Sequence, residues 1–335
     1  MKKLIFIFSL FLIISFPSQT DAKNHVKIAT IGAVSPQFEQ GTSPQIMVDA
    51  MIKFWKKELA QVLPDEPDLI VLPEICDCPR GLTTKEQIEY YEVRKNQVQD
   101  YFITVAKTNS CYIAFGTRRQ VNDGSWRNSC VIIDRAGKIN GIYNKNFPTI
   151  GEMEAGIKAS NEAPVFKLDF GTVGCAICFD LNFNELLKKY QQSQPDIIIF
   201  SSMYHGGLMQ NYWAYSTRAF FVSALGTRTA PSEIRNPLGD VVATTTNYFD
   251  FTITTINLDS RLAHLDYNWG KLSALKDKYG NKVTIYDPGK VGAVLISSEH
   301  ENISAEEMIK EFGIELLDDY FTRSRNFRHN PGNLE

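Results

Sequence analysis

The chain has 335 residues, of which 44% are hydrophobic and 22% charged, and its formal net charge is −3. This length can bury a full-sized core, and the composition is that of a globular protein, which excludes a disordered or fibrous chain. The small net charge, with both signs mixed along the sequence, gives no electrostatic reason to expect nucleic acid or an anionic membrane as a partner.

The first 22 residues predict export. Lys2 and Lys3 precede an apolar run from Leu4 to Ile14, and the small-x-small sequence Thr20-Asp21-Ala22 follows. This order is typical of a secretory signal peptide, cleaved here near Ala22. The alternative is an uncleaved membrane anchor, but a bilayer span needs about 20 apolar residues and this run is far shorter. We expect a periplasmic or secreted protein without an integral membrane segment after cleavage.

Strands and helices then alternate, which predicts an α/β fold with helices covering β-sheet over residues 23–260. The predicted strands are Val26–Val34, Asp68–Pro73, Tyr112–Arg118, Ser129–Asp134, Ile139–Asn144, Val165–Cys178 with a turn at Phe170-Gly171, and Asp196–Ser202. The predicted helices run from Ser43-Pro44 to Leu59, from Thr84 to Thr108, from Phe183 to Tyr190 and from Asn211 to Ala224.

Residues 261–335 have a different pattern. Lys282–Tyr286 and Val291–Ser297 flank the turn sequence Asp287-Pro288-Gly289, which predicts a hairpin. A capping box at Ser304–Glu307 opens a helix that Gly313 ends. We interpret this part as a C-terminal extension that packs on the domain or on a partner subunit.

Three segments each end a predicted strand with a reactive residue. Glu74 follows an apolar strand and a proline, Lys145 leaves a strand seven residues before Glu152, and Cys178 lies at a strand-to-helix junction. The dipoles of a helix N-terminus stabilise a thiolate, so we expect the pKa of Cys178 to be lowered. Each residue alone also has an ordinary interpretation, as a surface carboxylate, a solvated ion pair or a core cysteine.

The six cysteines leave other interpretations open. Cys175-Ala-Ile-Cys178 has the spacing of a redox pair or half a zinc site, but residues three apart in a strand point to opposite faces. Cys76-Asp-Cys78 has the wrong spacing for a second zinc half-site. A bridge between Cys111 and Cys130 is conceivable, since they lie in consecutive strands. A Cys–His dyad would use His205, for which no orienting partner stands out.

Together the three reactive segments resemble the nitrilase, or carbon–nitrogen hydrolase, superfamily, and within it an amidase- or carbamoylase-like branch. The motifs are Leu72-Pro73-Glu74, Tyr143-x-Lys145-x-x-Pro148-Thr149-x-x-Glu152 and Gly174-x-x-Ile177-Cys178-Phe179-Asp180-x-x-Phe183-x-Glu185. They occur in the family's order of Glu, Lys and Cys. Trp213, Arg218-Ala219 and the segment from Ser232 to Gly239 also agree, so that the resemblance covers Val26 to Asp259.

The resemblance implies a four-layer α-β-β-α sandwich and a catalytic triad. Glu74 would be the general base, Cys178 the nucleophile that forms a thioester, and Lys145 the partner of the oxyanion together with the backbone N–H of Phe179. Glu152 would hold Lys145 or the substrate amine, and Tyr204 is a further candidate substrate contact. The resemblance implies no cofactor and no metal, and a homodimer or higher homo-oligomer.

The expected activity is hydrolysis of a non-peptide C–N bond in a small-molecule amide or N-carbamoyl compound. Family members that act on nitriles often have Cys-Trp-Glu where this chain has Cys178-Phe179-Asp180, which favours an amide or carbamoyl substrate. Alternatives are nitrile hydrolysis, acyl transfer by the same triad, and a binding protein that keeps the fold without catalysis. Met203, Trp126 and Trp213 are further candidates for the pocket wall.

Overall fold

The computed structural model describes residues 25–334. The predicted signal peptide lies outside these residues. In the described part, no helix has both the length and the apolar character needed to cross a bilayer.

The elements follow the chain in three groups. The first contains β1 (His25–Ile31), α1 (Pro44–Leu59), β2 (Leu69–Val71), α2 (Thr84–Arg94), α3 (Gln97–Asn109), β3 (Tyr112–Gln120), β4 (Trp126–Ile133) and β5 (Ile139–Asn144). The second contains α4 (Ile150–Glu154), β6 (Phe166–Lys167), β7 (Thr172–Ile177), α5 (Asn184–Ser193), β8 (Ile197–Ser202), α6 (Leu208–Thr217), β9 (Phe220–Leu225), β10 (Glu233–Arg235), β11 (Val241–Thr244) and β12 (Phe251–Asn257). The third contains β13 (Ser260–His264), α7 (Trp269–Tyr279), β14 (Val283–Tyr286), β15 (Ala293–Ser298), α8 (Ala305–Glu311) and α9 (Leu317–Arg328).

Two six-stranded sheets form the centre of the molecule, in the orders β12-β1-β2-β3-β4-β5 and β11-β10-β9-β8-β7-β6. One face of the first sheet packs on α1, α2 and α3 around Trp55 and Phe102. Its other face packs on the second sheet, whose core is continuous with α5 and α6 through Leu187 and Trp213. This is the predicted α-β-β-α sandwich, and the fold class is confirmed.

Both sheets have a parallel centre, which determines where loops meet. β1, β2 and β3 are parallel in the first sheet, and β7, β8 and β9 are parallel in the second. The carboxyl ends of parallel strands lie at one edge of a sheet, where α/β proteins place their ligands. The loops after β2, β7 and β8 therefore open at one end of the sandwich.

Two predicted helices differ from the structure. The stretch from Thr84 to Thr108 forms two helices, because Lys95 adopts a positive φ of 43° that ends α2. The stretch from Asn211 to Ala224 is a helix only as far as Thr217, and Phe220–Leu225 is the buried strand β9 between β8 and β10. A short apolar run of this kind has no periodicity that distinguishes a buried strand from a buried helix.

The C-terminal part forms a small unit of its own, with the sheet order β13-β15-β14. The predicted hairpin is present as β14 and β15, and the capping box at Ser304 and Glu307 is formed. A separate hydrophobic cluster fills this unit, and a second cluster joins it to the sandwich through Leu238 and Leu317. The boundary at residue 260 itself stays a prediction.

Candidate active site

The three predicted catalytic residues lie at the end of the sandwich where the parallel strands finish. Glu74 follows β2, Lys145 directly follows β5 and Cys178 directly follows β7. Glu74 and Lys145 are 3% and 1% exposed, whereas Cys178 is only partly buried. The structure thus brings the two buried charged groups and one accessible thiol together, while their catalytic roles stay a prediction.

Glu74 is held by two donors on the same oxygen. Its Oε1 accepts hydrogen bonds from Lys145 Nζ at 2.9 Å and from Asn128 Nδ2 at 2.8 Å. Charge-assisted bonds of this kind fix an orientation strongly in a buried site. With Oε1 engaged in this way, Oε2 is the oxygen left to exchange a proton with a thiol or a substrate.

Glu152 closes the network on the other side of the lysine. Its Oε2 accepts from Lys145 Nζ at 2.8 Å and from the Thr149 N–H at 2.8 Å, and its Oε1 accepts from Asn128 Nδ2 at 2.7 Å. Because protein donors engage both oxygens, the geometry favours holding Lys145 over contact with a substrate amine. The capping box of α4 presents Glu152 toward the lysine.

The charges in this network stabilise one another. Burial acts to lower the pKa of Lys145, but the carboxylates of Glu74 and Glu152 outweigh burial and raise it. Burial acts to raise the pKa of Glu152, and the lysine with the surrounding donors lowers it. Lys145 is therefore an ammonium with two of its three N–H groups engaged, which leaves one donor for a developing negative charge.

Cys178 occupies a sharp turn between β7 and a short 3-10 helix. Its φ is +47°, a left-handed conformation that is uncommon outside glycine and that clusters at functional sites. The Ser202 hydroxyl, at the end of β8, and the Met203 backbone N–H, directly after it, lie near the sulfur and act to lower its pKa. The turn thus presents the thiol toward the cleft between the two sheets.

The structure corrects the expectation that the pKa of Cys178 is lowered. Burial, followed by the nearby Glu74 carboxylate, raises the pKa of Cys178 to about 12, although Lys145, the Met203 N–H and the Ser202 hydroxyl act to lower it. The helix dipole does not outweigh desolvation here. The resting nucleophile is a neutral thiol, which needs a base before it can attack.

Asp180 connects the lysine loop with the cysteine turn. Its Oδ2 accepts from the Tyr143 hydroxyl at 2.7 Å and from the Ile177 N–H at 2.9 Å, and its Oδ1 accepts from the Phe147 N–H at 2.7 Å. Tyr143 and Phe147 lie two residues to either side of Lys145, and Asp180 lies two residues after Cys178. This fully buried carboxylate fixes the distance between the lysine and the nucleophile.

The predicted substrate contacts lie on the open side of the thiol. Phe179 is 37% exposed, and its N–H belongs to the first turn of the 3-10 helix, where N–H groups have no partner inside the helix. The Tyr204 hydroxyl accepts from Asn182 Nδ2 at 3.0 Å, so its own proton is available for a further acceptor. Burial raises the pKa of Tyr204 to about 12, and Tyr204 is therefore a neutral donor.

Two candidates for the pocket wall have other positions. Trp213 is fully buried and donates to the Leu181 carbonyl at 3.0 Å, so it supports the cysteine turn from below and cannot reach a substrate. Trp126 lies at the start of β4 against Tyr91, at 5.3 Å between ring centroids. Met203 is 38% exposed and lies against Gly226, at the rim of the cleft.

The geometry gives little support to a disulfide between Cys111 and Cys130 or to a metal site. Cys111 belongs to the cluster under the outer helices and Cys130 to the cluster between the sheets, so a bridge between them would have to cross the first sheet. Cys130 instead belongs to the same buried cluster as Cys175. Within residues 25–334, no group of three or more His, Cys, Asp or Glu side chains is arranged to hold a metal ion.

His205 has a partner that the sequence did not indicate. Its Nε2 lies 3.1 Å from Glu233 Oε2, and its Nδ1 accepts from the Gly207 N–H at 3.1 Å. Both ring nitrogens are therefore engaged away from Cys178, and a Cys–His dyad would require this loop to rearrange.

Asn128 is the site residue that sequence reasoning missed. It lies in the middle of β4 with 1% exposure, and its Nδ2 bonds to both Glu74 and Glu152. A polar side chain at a position that should face a core was the only signal available, and one such residue in a strand does not indicate a site.

Comparisons with known proteins identify the family to which the chain is similar. The sequence model of the carbon-nitrogen hydrolase family matches residues 37–260. The chain is 24% identical over 172 residues to the nitrilase and fragile histidine triad fusion protein NitFhit of Drosophila melanogaster, covering 47% of this chain and 37% of that protein. It is 23% identical over 222 residues to omega-amidase NIT2-B of Xenopus laevis, covering 59% and 78%.

The fold has solved counterparts. The crystal structure of an amidase from Nesterenkonia sp. superposes with a TM-score of 0.61 at 12% identity, covering 78% of this chain and 98% of that one. At this identity the likeness is one of fold. The chain spans little more than a third of the length of NitFhit, and the activities of such relatives belong to those proteins.

Proposed function

The chain belongs to the carbon–nitrogen hydrolase family, and we propose that it hydrolyses a non-peptide C–N bond of a small-molecule amide or N-carbamoyl compound with Glu74, Lys145 and Cys178 as its triad. The observation that carries this proposal is the hydrogen bonding of Glu74. Lys145 and Asn128 hold Oε1 and leave Oε2 as the proton acceptor beside a thiol that is neutral at rest.

The reaction begins with removal of the thiol proton. Glu74 accepts this proton as the sulfur of Cys178 attacks the carbonyl carbon, which becomes tetrahedral. The remaining N–H of Lys145 and the backbone N–H of Phe179 donate to the oxyanion. When this intermediate collapses, the C–N bond breaks, and Glu74 returns the proton to the leaving nitrogen.

The second half-reaction releases the acid. A thioester now joins the acyl group to Cys178, and Glu74 is again a carboxylate. It takes a proton from a water molecule that attacks the thioester carbon, and the same donors stabilise the second oxyanion. When the second intermediate collapses, the C–S bond breaks, Glu74 returns the proton to the sulfur of Cys178, and the carboxylic or carbamic acid is freed. Each turnover thus consumes one water and releases one ammonia or amine.

Three observations favour an amide or carbamoyl substrate over a nitrile. Phe179 and Asp180 stand where nitrile-acting members often have Trp and Glu, and the Xenopus laevis relative is named an omega-amidase. The Tyr204 hydroxyl adds a neutral donor beside the thiol, suited to a carbonyl or hydroxyl oxygen of the substrate.

The test is ammonia and amine release by the mature chain, Lys23 to Glu335, from a panel of primary amides, N-carbamoyl amino acids and nitriles. Cys178→Ala is the matched control, because it removes one sulfur and leaves the network around Lys145 intact. Release from one class that disappears in the variant supports the proposal and identifies the class. Equal release by the variant would overturn the role of Cys178, and products that contain an added amine would indicate acyl transfer.

We propose that the protein is exported. The support is the charged n-region, the apolar run and the small-x-small sequence of the first 22 residues. Expression of the full chain should give a protein outside the cytoplasm whose N-terminus is Lys23, as read by mass spectrometry. An intact N-terminus in the cytoplasmic fraction would contradict export.

We also propose a homodimer or higher homo-oligomer, on the basis of the family resemblance. Light scattering of the mature chain should give at least twice the mass of one chain. A monomer mass across the working concentration range would contradict this proposal.

A further inference from the structure

A buried ionic cluster follows Glu74 and has no role in the reaction as proposed. Asp77 and Arg94 are 2% and 7% exposed, and the Arg94 Nη1 atom donates to Asp77 Oδ2. Thr117 Oγ1 donates to the same oxygen at 2.6 Å and lies 3.1 Å from Arg94 Nη1. The cluster connects the loop after β2 with the end of α2 and with β3.

Fold stability is a poor explanation for charges at this depth. Replacing a buried ion pair with apolar side chains is often neutral or stabilising, because desolvation offsets the attraction between the charges. Burial raises the pKa of Asp77 in spite of Arg94, and within residues 25–334 no group hydrogen-bonds to Asp77 Oδ1. A cluster that costs stability in this way is better explained by a role in positioning neighbouring residues.

The loop that the cluster closes has a strained backbone next to the catalytic carboxylate. Ile75 adopts a φ of +49°, which is unusual and strained for a β-branched residue. Such a conformation persists only where surrounding contacts determine it. The loop has those contacts, since the Tyr90 hydroxyl donates to the Asp77 carbonyl at 2.7 Å and Trp55 Nε1 donates to the Cys76 carbonyl at 2.7 Å.

The cluster is also joined to Glu74 through β3. The Gly116 N–H donates to the Pro73 carbonyl and the Cys76 N–H donates to the Gly116 carbonyl, each at 3.0 Å. A Cβ on Gly116 would lie 2.5 Å from the Glu74 Cα, so the two backbones are in close contact. Thr117 is the next residue of β3, and a change in its bond to Asp77 shifts the surface against which Glu74 rests.

We propose that Asp77, Arg94 and Thr117 are positioning residues that hold the Glu74 carboxylate in reach of Cys178. This inference rests on the proposed role of Glu74 as the base. A misplacement of about 1 Å can cost about a hundredfold in rate, so a cluster that sets the position of a base acts on kcat and leaves KM nearly unchanged.

The test measures the base without requiring the substrate. Iodoacetamide alkylates Cys178, and intact mass spectrometry of the mature chain follows the rate, since the other five cysteines are buried. Glu74→Gln removes the proton acceptor together with a charge that raises the Cys178 pKa; we expect loss of the acceptor to outweigh loss of the charge and to slow alkylation by about tenfold or more. Thr117→Val, which keeps the shape and deletes one hydroxyl, should slow it by about fivefold or more, and Thr117→Ser should stay within about twofold of the wild type.

The double variant separates positioning from stability. With Glu74→Gln already present, Thr117→Val should change the rate by less than about twofold, because there is no longer a base to displace. An equal slowing in both backgrounds would overturn the proposal. A Thr117→Val protein that unfolds at a lower temperature but alkylates at the wild-type rate would also overturn it, since the role would then be structural.

A second Asp–Arg pair, at the other end of β2, supplies the matched control. Asp68 precedes β2 at the end opposite Glu74, and its Oδ1 lies 2.8 Å from Arg135 Nη2. Asp68→Asn should be alkylated at the wild-type rate, and Asp77→Asn should be alkylated slowly. If Asp77→Asn does not fold, Thr117→Val decides alone.

The two proposals can fail separately. Failure of all panel substrates together with the expected alkylation pattern would reject the proposed hydrolase and keep the positioning role. Turnover of a panel substrate, combined with wild-type alkylation in Thr117→Val, would support the proposed hydrolase and reject the positioning role.

Discussion

At the scale of single residues, the site depends on the hydrogen bonds that join Glu74, Lys145 and Glu152. Lys145 and Asn128 both donate to Glu74 and to Glu152, so the lysine and the asparagine connect two carboxylates that would otherwise repel. In a buried site such a network is strong only when every member is present. Loss of one donor should therefore affect both the position of the base and the protonation of the site.

Asn128 tests this dependence. Asn128→Ala should lower kcat by about ten- to a hundredfold, the effect of removing hydrogen bonds worth ~1.5–3 kcal/mol to charged groups. Asn128→Asp should lose more activity and also stability, because it places a third carboxylate against Glu74 and Glu152. Steady-state kinetics and urea unfolding measure both effects. Asn140→Ala, a change at an exposed asparagine of β5, is the control, and wild-type kcat in Asn128→Asp would contradict the network.

The protonation state of the nucleophile is a second prediction at this scale. Because burial and the Glu74 carboxylate raise the pKa of Cys178 to about 12, the thiol should remain protonated at every lower pH where the protein is folded. The ultraviolet absorbance of the wild type minus that of Cys178→Ala should show no thiolate step below about pH 10. A step near neutral pH would mean that the cysteine is activated as a pre-formed thiolate.

The sequence indicated these residues unequally, for a physical reason. Glu74, Lys145 and Cys178 each stand in a local motif at the end of a strand, and such motifs are visible in one dimension. Asn128 acts through contacts with residues 54 and 24 positions away, which no local pattern records. The raised pKa of Cys178 depends on its burial in the folded chain, so a helix dipole inferred from the sequence gave the wrong direction.

At the scale of elements, Asp180 holds the loop after β5 and the turn after β7 in one arrangement. Burial raises its pKa to about 6 from an ordinary 3.8, although Tyr143 and two backbone N–H groups act to lower it. An acid whose folded pKa is raised contributes stability that is fully present below about pH 4 and is lost as pH rises through about 6. The ionised form at neutral pH is therefore retained at a cost in stability.

Asp180→Asn should expose this cost. The variant has no titrating group there, so its unfolding free energy relative to the wild type should improve by about 3 kcal/mol between about pH 4 and pH 7, from a pKa difference of about 2. Urea unfolding of both proteins at the two pH values measures this change. A difference that is constant with pH would contradict a raised pKa, and Asp169→Asn, at a half-exposed position, is the control.

The sequence predicted helices and strands correctly where a local pattern marks them. It did not predict them where tertiary packing determines the secondary structure. β5 has the predicted bounds, and Ser304 with Glu307 forms the predicted capping box. β9 was predicted as helix because Phe220–Leu225 is buried on both faces as a central strand and has no alternation. The break between α2 and α3 occurs at Lys95, whose positive φ the helical pattern does not indicate.

At the scale of the whole molecule, the C-terminal unit and the sandwich share one interface. Leu238 and Tyr215 of the sandwich pack with Leu262, Leu295 and Leu317 of the C-terminal unit. Arg218, after α6, also donates to Asp318 of α9 at 2.8 Å. An apolar cluster with residues from both sides couples their unfolding, although the C-terminal unit has a core of its own.

Leu317→Ala should weaken both parts together. The side chain is 1% exposed at the centre of the shared cluster, and its truncation should cost about 2–5 kcal/mol through lost burial and a residual cavity. In a Trp269→Phe background, tryptophan fluorescence reports only the sandwich, whereas far-ultraviolet circular dichroism reports the whole chain. Both transitions should move to lower urea and still coincide.

The control for Leu317→Ala lies on the same helix. Phe327 is 65% exposed on α9, and Phe327→Ala should change stability by no more than about 0.5 kcal/mol. If Leu317→Ala instead separates the two transitions, with fluorescence unchanged, the C-terminal unit unfolds alone and the sandwich does not depend on it. Coincident transitions mean that the apolar interface makes the two parts one cooperative body, so that residues beyond 260 contribute to the stability of the fold that carries the triad.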